Sequence, residues 1–273
     1  MSRIALFTDL DGTLLNSRSK ISKENLAALY KLNDTDIVRI AITGRNLYSA
    51  TKVLPKDAPL DYLVFSSGAG VYNWATRHII YQQNLNPRTT KELIDFLLKK
   101  NVTFTIHKAI PLTHHFYYVL RDEPEDFRQR LEYYKEFAEE YKGQRIKVST
   151  CIILMLSPKL KEFQKIKDEI KNKFGRSVSI IRTTSPINHK NIWIELYDPM
   201  VSKGHTARWI ANYLSIDPQN TVGIGNDYND IELLEYVNYP YVVENAPSEL
   251  KEKYTPIDHH DNDAIAKLIT KLF

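Results

Sequence analysis

A single cysteine in 273 residues, Cys151, leaves nothing to pair with in an intramolecular disulfide and fits a reducing compartment. Its place in an apolar run points to buried packing rather than nucleophilic work. No apolar run approaches the roughly 20 residues needed to span a bilayer. Asp9 and Asp11 interrupt the amino-terminal apolar run before it could act as a signal-peptide core. Low-complexity tracts, internal repeats and concentrated basic blocks are also missing. Net charge is +4, from 37 basic and 33 acidic residues, too mild and too evenly spread to argue for nucleic acid. What remains is a globular composition, 43% hydrophobic and 26% charged, with length enough for one large domain or two. The expectation is a cytoplasmic protein that partners neither membrane nor nucleic acid and is a monomer or a weak homo-oligomer.

The chain is organised around residues 3–15, Arg-Ile-Ala-Leu-Phe-Thr-Asp-Leu-Asp-Gly-Thr-Leu-Leu. The apolar run at 4–7 suits a buried strand and is too short for a helix. Asp9 and Asp11 flank Leu10, so in an extended segment both carboxylates leave the strand end on one side. Gly12 then lets the backbone turn and approach a ligand without a Cβ in the way. Two further buried-strand candidates follow. Residues 37–42 run into Thr43-Gly44-Arg45 and a helix near Asn46, and residues 62–65 run into Ser66-Ser67-Gly68. Ser22 is a candidate N-cap for an intervening helix that carries Leu26, Leu29 and Tyr30 at helical spacing. Strands alternating with helices predict a parallel α/β sheet. In such sheets ligands bind outside the carboxyl ends of the strands. Asp9, Asp11, Thr43 and Ser67 all fall there.

Residues 71–81 read as an aromatic hairpin, and the character then changes. A helix at 89–100, strands near 102–106 and 116–120, a highly charged helix from Pro124 to about 141, and a strand at 150–156 come in turn. Pro158 opens a helix to about 174, followed by strands near 178–181 and 192–196. That order predicts an α+β module at 84–189, inserted into a Rossmann-like core made of 1–83 and 190–273. The parallel pattern resumes at Lys203-Gly204, which open a helix with Ala207, Ile210, Ala211 and Leu214 on one face. A strand at 221–224 ends in Gly225-Asn226-Asp227-Tyr228-Asn229-Asp230, and a strand at 239–243 and a terminal helix close the chain.

Taken together, the strand ends supply two carboxylates (Asp9, Asp11), a hydroxyl with a glycine behind it (Thr43, Gly44), a lysine (Lys203) and an amide and acid cluster (Asn226, Asp227, Asn229, Asp230). Phosphoryl transfer chiefly requires positioning and neutralising charge on the equatorial oxygens. Mg²⁺ takes oxygen ligands from one or two carboxylates, with water and substrate phosphate for the rest. A carboxylate nucleophile can split such a reaction into two easier steps through an aspartyl-phosphate. Each part of that scheme is present. Lys203 stands at a helix start, where the helix dipole disfavours a cation, which itself argues for a role.

These motifs, D-x-D-G-T, T-G-R, a distant lysine and G-N-D-x-N-D, resemble those of the haloacid dehalogenase (HAD) superfamily. The large insert resembles the cap of Cof-like phosphatases, an α/β cap of the C2B type. The resemblance implies that Asp9 is the nucleophile and Asp11 the general acid/base, with the Asp11 backbone carbonyl a metal ligand. It further implies that Thr43, the Gly44 amide and Asn229 hold the phosphoryl oxygens while Lys203 neutralises the nucleophile and the transition state. The implied metal is Mg²⁺, on Asp9, Asp11 and Asn226, with Asp227 or Asp230 as alternatives to the last. Two positions depart from the family pattern. Asn226 stands where Gly-Asp-x-x-Asn-Asp has its acid, and Ser66-Ser67-Gly68-Ala69 stands where relatives carry Asn-Gly-Ala, which leaves Ser67 as an outer contact.

The function implied is a Mg²⁺-dependent phosphatase of small phosphate esters, with sugar phosphates the leading class. A phosphomutase, or a phosphometabolite-binding protein that has lost catalysis, are the alternatives. The insert is expected to cover the site and close to exclude water. His107, Arg121, His189, Lys190 and Trp193 are its candidates for reading a polyol substrate. His114-His115 and His259-His260 read as surface, because neighbouring residues diverge on a strand and neither pair has zinc-site spacing.

Overall fold

The computed structural model describes residues 3–121, 125–156, 160–185, 187 and 191–273. The chain divides into two compact units, one running to Tyr81 and again from Ser202 onward, the other Gln82–Val201.

In the first unit an eight-stranded sheet is built from β1 (Ile4–Thr8), β2 (Ile37–Ile42), β3 (Tyr62–Phe65), β4 (Gly70–Asn73), β5 (His78–Gln82), β12 (Thr221–Gly225), β13 (Tyr239–Val243) and β14 (Thr255–Ile257). The order across the sheet is β14-β13-β12-β1-β2-β3-β4-β5. Pairing is parallel from β14 to β3, and β4 turns back antiparallel on β3. Alternate residues serve opposite faces, as a pleated strand requires. Leu6, Ala41, Val222 and Ile224 pack under helices α1 (Lys23–Lys31), α2 (Leu47–Val53) and α9 (Ala264–Leu272). Ala5, Phe7, Ile40 and Ile42 pack under α6 (Lys203–Tyr213) and α7 (Ile231–Tyr236). A short α8 (Ser248–Lys253) precedes β14. Burial on both faces explains why these strands are continuous apolar runs rather than alternating ones. Ser22 does cap α1, accepting from the Asn25 amide, but the buried face of the helix runs through Asn25, Ala28 and Leu29, while Tyr30 lies outside it and reaches the Asp57 carbonyl.

The second unit is a six-stranded sheet of order β10-β11-β9-β6-β7-β8. Its strands are β6 (Phe104–Lys108), β7 (Phe116–Val119), β8 (Ala138–Glu140), β9 (Ser149–Leu156), β10 (Ser179–Thr184) and β11 (Ile192–Tyr197). Helices α3 (Pro87–Lys100) and α5 (Leu160–Phe174) cover one face through Leu93, Ile94, Leu97, Phe163, Ile166 and Ile170. The α+β character is as expected, but its boundaries differ from 84–189. Strand β11 pairs antiparallel with both β9 and β10, so the unit continues to Val201 instead of ending at 189. The charged helix is also shorter. Helix α4 spans Glu125–Tyr133, and the chain then turns so that β8 completes the outer edge of β7. Tyr134 is buried, and the Phe137 carbonyl accepts from the Phe116 amide. The open hydrogen bonds of a sheet edge outweigh helical periodicity there. Pro124 and Pro158, the expected openings of α4 and α5, lie outside the described residues. No helix among the described residues is long and apolar enough to cross a membrane.

Beyond β3, three successive residues take positive φ: Ser66 (51°), Ser67 (55°) and Gly68 (108°). A Cβ on Gly68 would stand 2.5 Å from the Ser202 carbonyl oxygen and 2.7 Å from Thr206 Oγ1. Gly68→Ala is therefore expected to lower the free energy of unfolding by about 2–4 kcal/mol, from strained φ and overpacking together. Equilibrium urea denaturation checks this, and an unchanged midpoint would mean that segment 66–68 does not pack on Ser202 as described.

Candidate active site

Five parallel strands, β13, β12, β1, β2 and β3, point their carboxyl ends at one rim, and each delivers a polar residue there. Asp9 follows β1 directly, its amide donating to the Ile224 carbonyl at 2.9 Å so that the ladder with β12 runs one residue past the strand. The chain then wraps tightly, the Leu14 amide reaching the Asp9 carbonyl and the Leu15 amide the Leu10 carbonyl. Gly12 makes the wrap feasible at φ +73°, and a Cβ there would lie 2.5 Å from Asn226 Nδ2 and 3.4 Å from Asn245 Nδ2. The two amides pack on the bare backbone. Asn245 also donates from Nδ2 to the Gly12 carbonyl at 2.8 Å.

At the centre is a buried trio. Lys203 Nζ donates to Asp9 Oδ1 at 2.7 Å and to Asp230 Oδ1 at 2.5 Å, with all three residues 4% exposed or less. Ser202 caps α6 by accepting from the His205 amide, which starts the helix at Lys203. The trio carries two carboxylates for one ammonium. Burial, with Asp230 and Asp11 adding and Lys203 opposing, pushes the Asp9 carboxyl up to about 7. For Lys203 burial acts to lower the ammonium pKa, but the attraction of Asp230 and Asp9 outweighs it and the net shift is upward.

Thr43, fully buried, follows β2. Its Oγ1 accepts from the Arg45 amide at 3.1 Å, which leaves its O–H to donate. Gly44 faces Ser67 Oγ and Asn229 Nδ2, 3.5 and 3.7 Å from where a Cβ would stand. Gly44 thus leaves room for about one methyl group between the end of β2, Ser67 and Asn229.

The sequence leaves three residues open as partners to Asp9 and Asp11, and their geometry separates them. Asp230 has both oxygens engaged inside the protein, Oδ1 by Lys203 and Oδ2 by the amides of Asn226 (2.9 Å) and Asp227 (3.1 Å). The Asp227 side chain caps the following 3₁₀ turn by accepting from the Asp230 amide. Asn226 lies against Gly12, its Nδ2 2.5 Å from where a Cβ would stand. Asp11 meets a residue to which sequence reasoning gave no role. Arg45 binds it with a two-pronged fork, Nε to Oδ2 and Nη2 to Oδ1, each at 2.7 Å. Asn245, at the end of β13, was also missed. The positional signal existed for both, since each stands just past a parallel strand, but only the fold shows what they touch.

Of the candidates in the second unit, His107 is buried. Its Nδ1–H donates to the Thr113 carbonyl at 2.7 Å, and its Nε2 faces Thr105 Oγ1 and Arg130. Burial, with Arg130 adding, drives its pKa down to about 3, so it is a neutral internal group. Trp193 is equally internal, its indole N–H donating to Asp126 Oδ2 at 2.7 Å. Both therefore serve the unit's own interior, a correction to their reading as substrate contacts. Arg121 is exposed, and His189 and Lys190 lie outside the described residues. Cys151 is buried, and burial pushes its thiol pKa up, as for an inert packing residue.

The upward shift of Asp9 has a defined consequence for metal-free protein. The folded state holds a proton on Asp9 that the unfolded chain releases near pH 4. The associated stability is present below that pH and is lost as pH rises through about 7. Asp9→Asn removes the term. In EDTA its melting temperature should gain on that of the wild type between pH 5 and pH 8, and a constant difference would refute the shift.

The sequence profile of the haloacid dehalogenase-like hydrolase family matches residues 6–269. The 5-amino-6-(5-phospho-D-ribitylamino)uracil phosphatase YwtE of Bacillus subtilis is 26% identical, over 97% of this chain and 96% of its own. The structure of SMU.1108c from Streptococcus mutans matches with a TM-score of 0.81 at 17% identity, covering 99% of this chain and 98% of that one. The HAD subclass IIB sugar phosphatase BT4131 matches with a TM-score of 0.76 at 16% identity, over 98% of each chain. The two structural likenesses bear on the fold. With the family profile running from the first core strand into the last helix, the chain belongs to the haloacid dehalogenase-like hydrolases.

Proposed function

We propose that the protein is a Mg²⁺-dependent phosphatase of small phosphorylated metabolites, sugar and polyol phosphates foremost, working through an aspartyl-phosphate on Asp9. The observation that carries this reading is the excess of buried negative charge at Asp9, where two buried carboxylates share the one ammonium of Lys203. A site with two carboxylates on one lysine is short of positive charge, and a divalent cation would supply it. The donor set is hard oxygen: the second oxygen of Asp9, the Asp11 backbone carbonyl and the Asn226 side-chain carbonyl suit Mg²⁺. When bound, the ion supplies charge neutralisation for the phosphoryl group. The name of YwtE, a phosphatase of a phosphoribityl compound, supports a phosphorylated polyol as substrate class.

The chain's own residues then divide the work. The Thr43 hydroxyl, the Gly44 amide and the Asn229 amide hold the phosphoryl oxygens, and Lys203 keeps Asp9 oriented. An Asp9 oxygen attacks phosphorus as the ester P–O bond breaks, and Asp11 gives its proton to the leaving alkoxide. Water next attacks the aspartyl-phosphate, Asp11 takes its proton, and Asp9 returns as a carboxylate with inorganic phosphate released. Asp11 must leave the Arg45 fork to do either, so Arg45 sets its resting position. The resemblance suggested Asp227 or Asp230 as alternatives to Asn226 for the metal, and the internal bonds of those two favour Asn226.

Asp9→Asn is expected to abolish release of phosphate from p-nitrophenyl phosphate while the protein still folds, and substantial residual turnover would refute the nucleophile assignment. Gly44→Ala is the sharper test. The added methyl meets only ordinary van der Waals distances, so circular dichroism and melting should be unchanged. It nevertheless stands between the Gly44 backbone and Asn229, where the phosphoryl group is proposed to sit, and kcat/KM should fall by about 100-fold or more. Asn226→Asp should lower the Mg²⁺ concentration giving half-maximal activity, and an unchanged midpoint would move the third ligand elsewhere.

A further inference from the structure

His259 and His260 do not sit on a strand. They open the 3₁₀ turn His260–Asn262, with ring centroids 4.6 Å apart, and the turn brings Asp261 to them. One potential ligand atom from each of His259, His260 and Asp261 lies within 4.8 Å of the other two, the one such grouping found among the described residues. We propose that these three side chains form a second metal site, for a borderline transition ion of the Zn²⁺ class, apart from the hard-oxygen site at Asp9.

The donor set selects the ion. Two imidazoles and one carboxylate suit Zn²⁺, Co²⁺ or Ni²⁺ and do not suit Mg²⁺. Asp261 Oδ2 lies 3.8 Å from both His259 Nδ1 and His260 Nε2. Ligands about 2.1 Å from a tetrahedral ion stand roughly 3.4 Å apart, so each histidine–carboxylate pair is within a few tenths of an ångström of that spacing, and an ion would draw together the two histidine nitrogens, which lie within 4.8 Å. The surroundings already orient the donors. His260 Nδ1–H donates to the Leu15 carbonyl at 2.9 Å, which leaves Nε2 with its lone pair turned to the cluster. A backbone carbonyl on the other ring nitrogen is the usual support for a metal-bound histidine. Asp261 accepts from the Ser17 amide at 2.8 Å and from Ser17 Oγ at 2.6 Å, and these bonds hold it ionised and in place. His259 Nδ1 accepts the Asp261 amide at 3.2 Å, a long bond that a bound ion would displace.

Leu15 and Ser17 belong to the loop that leaves the Asp9–Gly12 motif. The His260 amide also donates to Asn245 Oδ1, whose Nδ2 holds the Gly12 carbonyl. An ion on the trio ties the carboxy-terminal segment to this loop and braces the motif from behind. Three protein ligands leave a coordination position to water.

The test is calorimetric titration of Zn²⁺ into the EDTA-stripped full chain with Mg²⁺ in excess. One equivalent is expected to bind, with a rise in melting temperature. His259→Ala and Asp261→Asn should each weaken Zn²⁺ binding by about 10- to 100-fold or more and cancel the thermal gain. Asp9→Asn should leave Zn²⁺ binding intact. Absence of Zn²⁺ binding to the wild type would overturn the proposal, as would equal binding to His259→Ala. Loss of binding in Asp9→Asn would place the ion at the strand-end rim instead. Both histidine-site variants alter partly exposed side chains, and circular dichroism establishes that they are folded.

Discussion

Two buried carboxylates share a single lysine, and the rest of the core unit follows from that arrangement. Ionised groups out of water need partners within hydrogen-bond reach, or they shift their protonation. Lys203 meets both Asp9 and Asp230, and Asp230 is further satisfied by two backbone amides. Among the described residues no backbone amide supports the Asp9 carboxylate in this way, and burial raises its proton affinity. The same imbalance is what the proposed Mg²⁺ and phosphoryl group would relieve. A fully compensated aspartate would be structurally comfortable and chemically inert.

Holding that trio demands exact backbone placement, and the fold supplies it from several directions. Parallel pairing of β1 with β12 and β2 sets Asp9 between the Asn226 loop and Thr43. Helix α6 crosses the opposite sheet face and presents Lys203 from its first turn, with Gly204 packed closely on the Glu232 backbone. The left-handed serines and Gly68 press against Ser202 at the start of that helix. Strained backbone of this kind persists where the surroundings over-determine it, and it clusters at functional rims.

Much of this was legible beforehand for a specific reason. Asp9, Thr43, Ser67 and Asn226 each stand immediately after an apolar run, and in a parallel sheet a strand end is a location. The readings that changed involve contacts between segments far apart in sequence. The 124–141 stretch has helical charge spacing, but the edge of β7 claimed its second half as β8. The inserted unit extends to Val201 because β11 finds two partners there, which no local pattern announces. His107 and Trp193 carry polar atoms that suggest a ligand, yet buried neighbours already satisfy them. His259 and His260 lie on a 3₁₀ turn, which converges side chains that a strand would separate.

The amino-acid sequence by itself determined the α/β class of the core, the strand ends that matter and the kinds of atoms placed there, because apolar periodicity and turn chemistry are local. Only the tertiary structure decided which of those atoms are engaged internally and which remain open. It engaged Asp230 with Lys203 and two backbone amides, put Arg45 on Asp11, and brought Asp261 and Leu15 to His260. Hydrogen bonds and ion pairs between distant segments depend on distances of a few tenths of an ångström, and those are set by how the strands and helices pack.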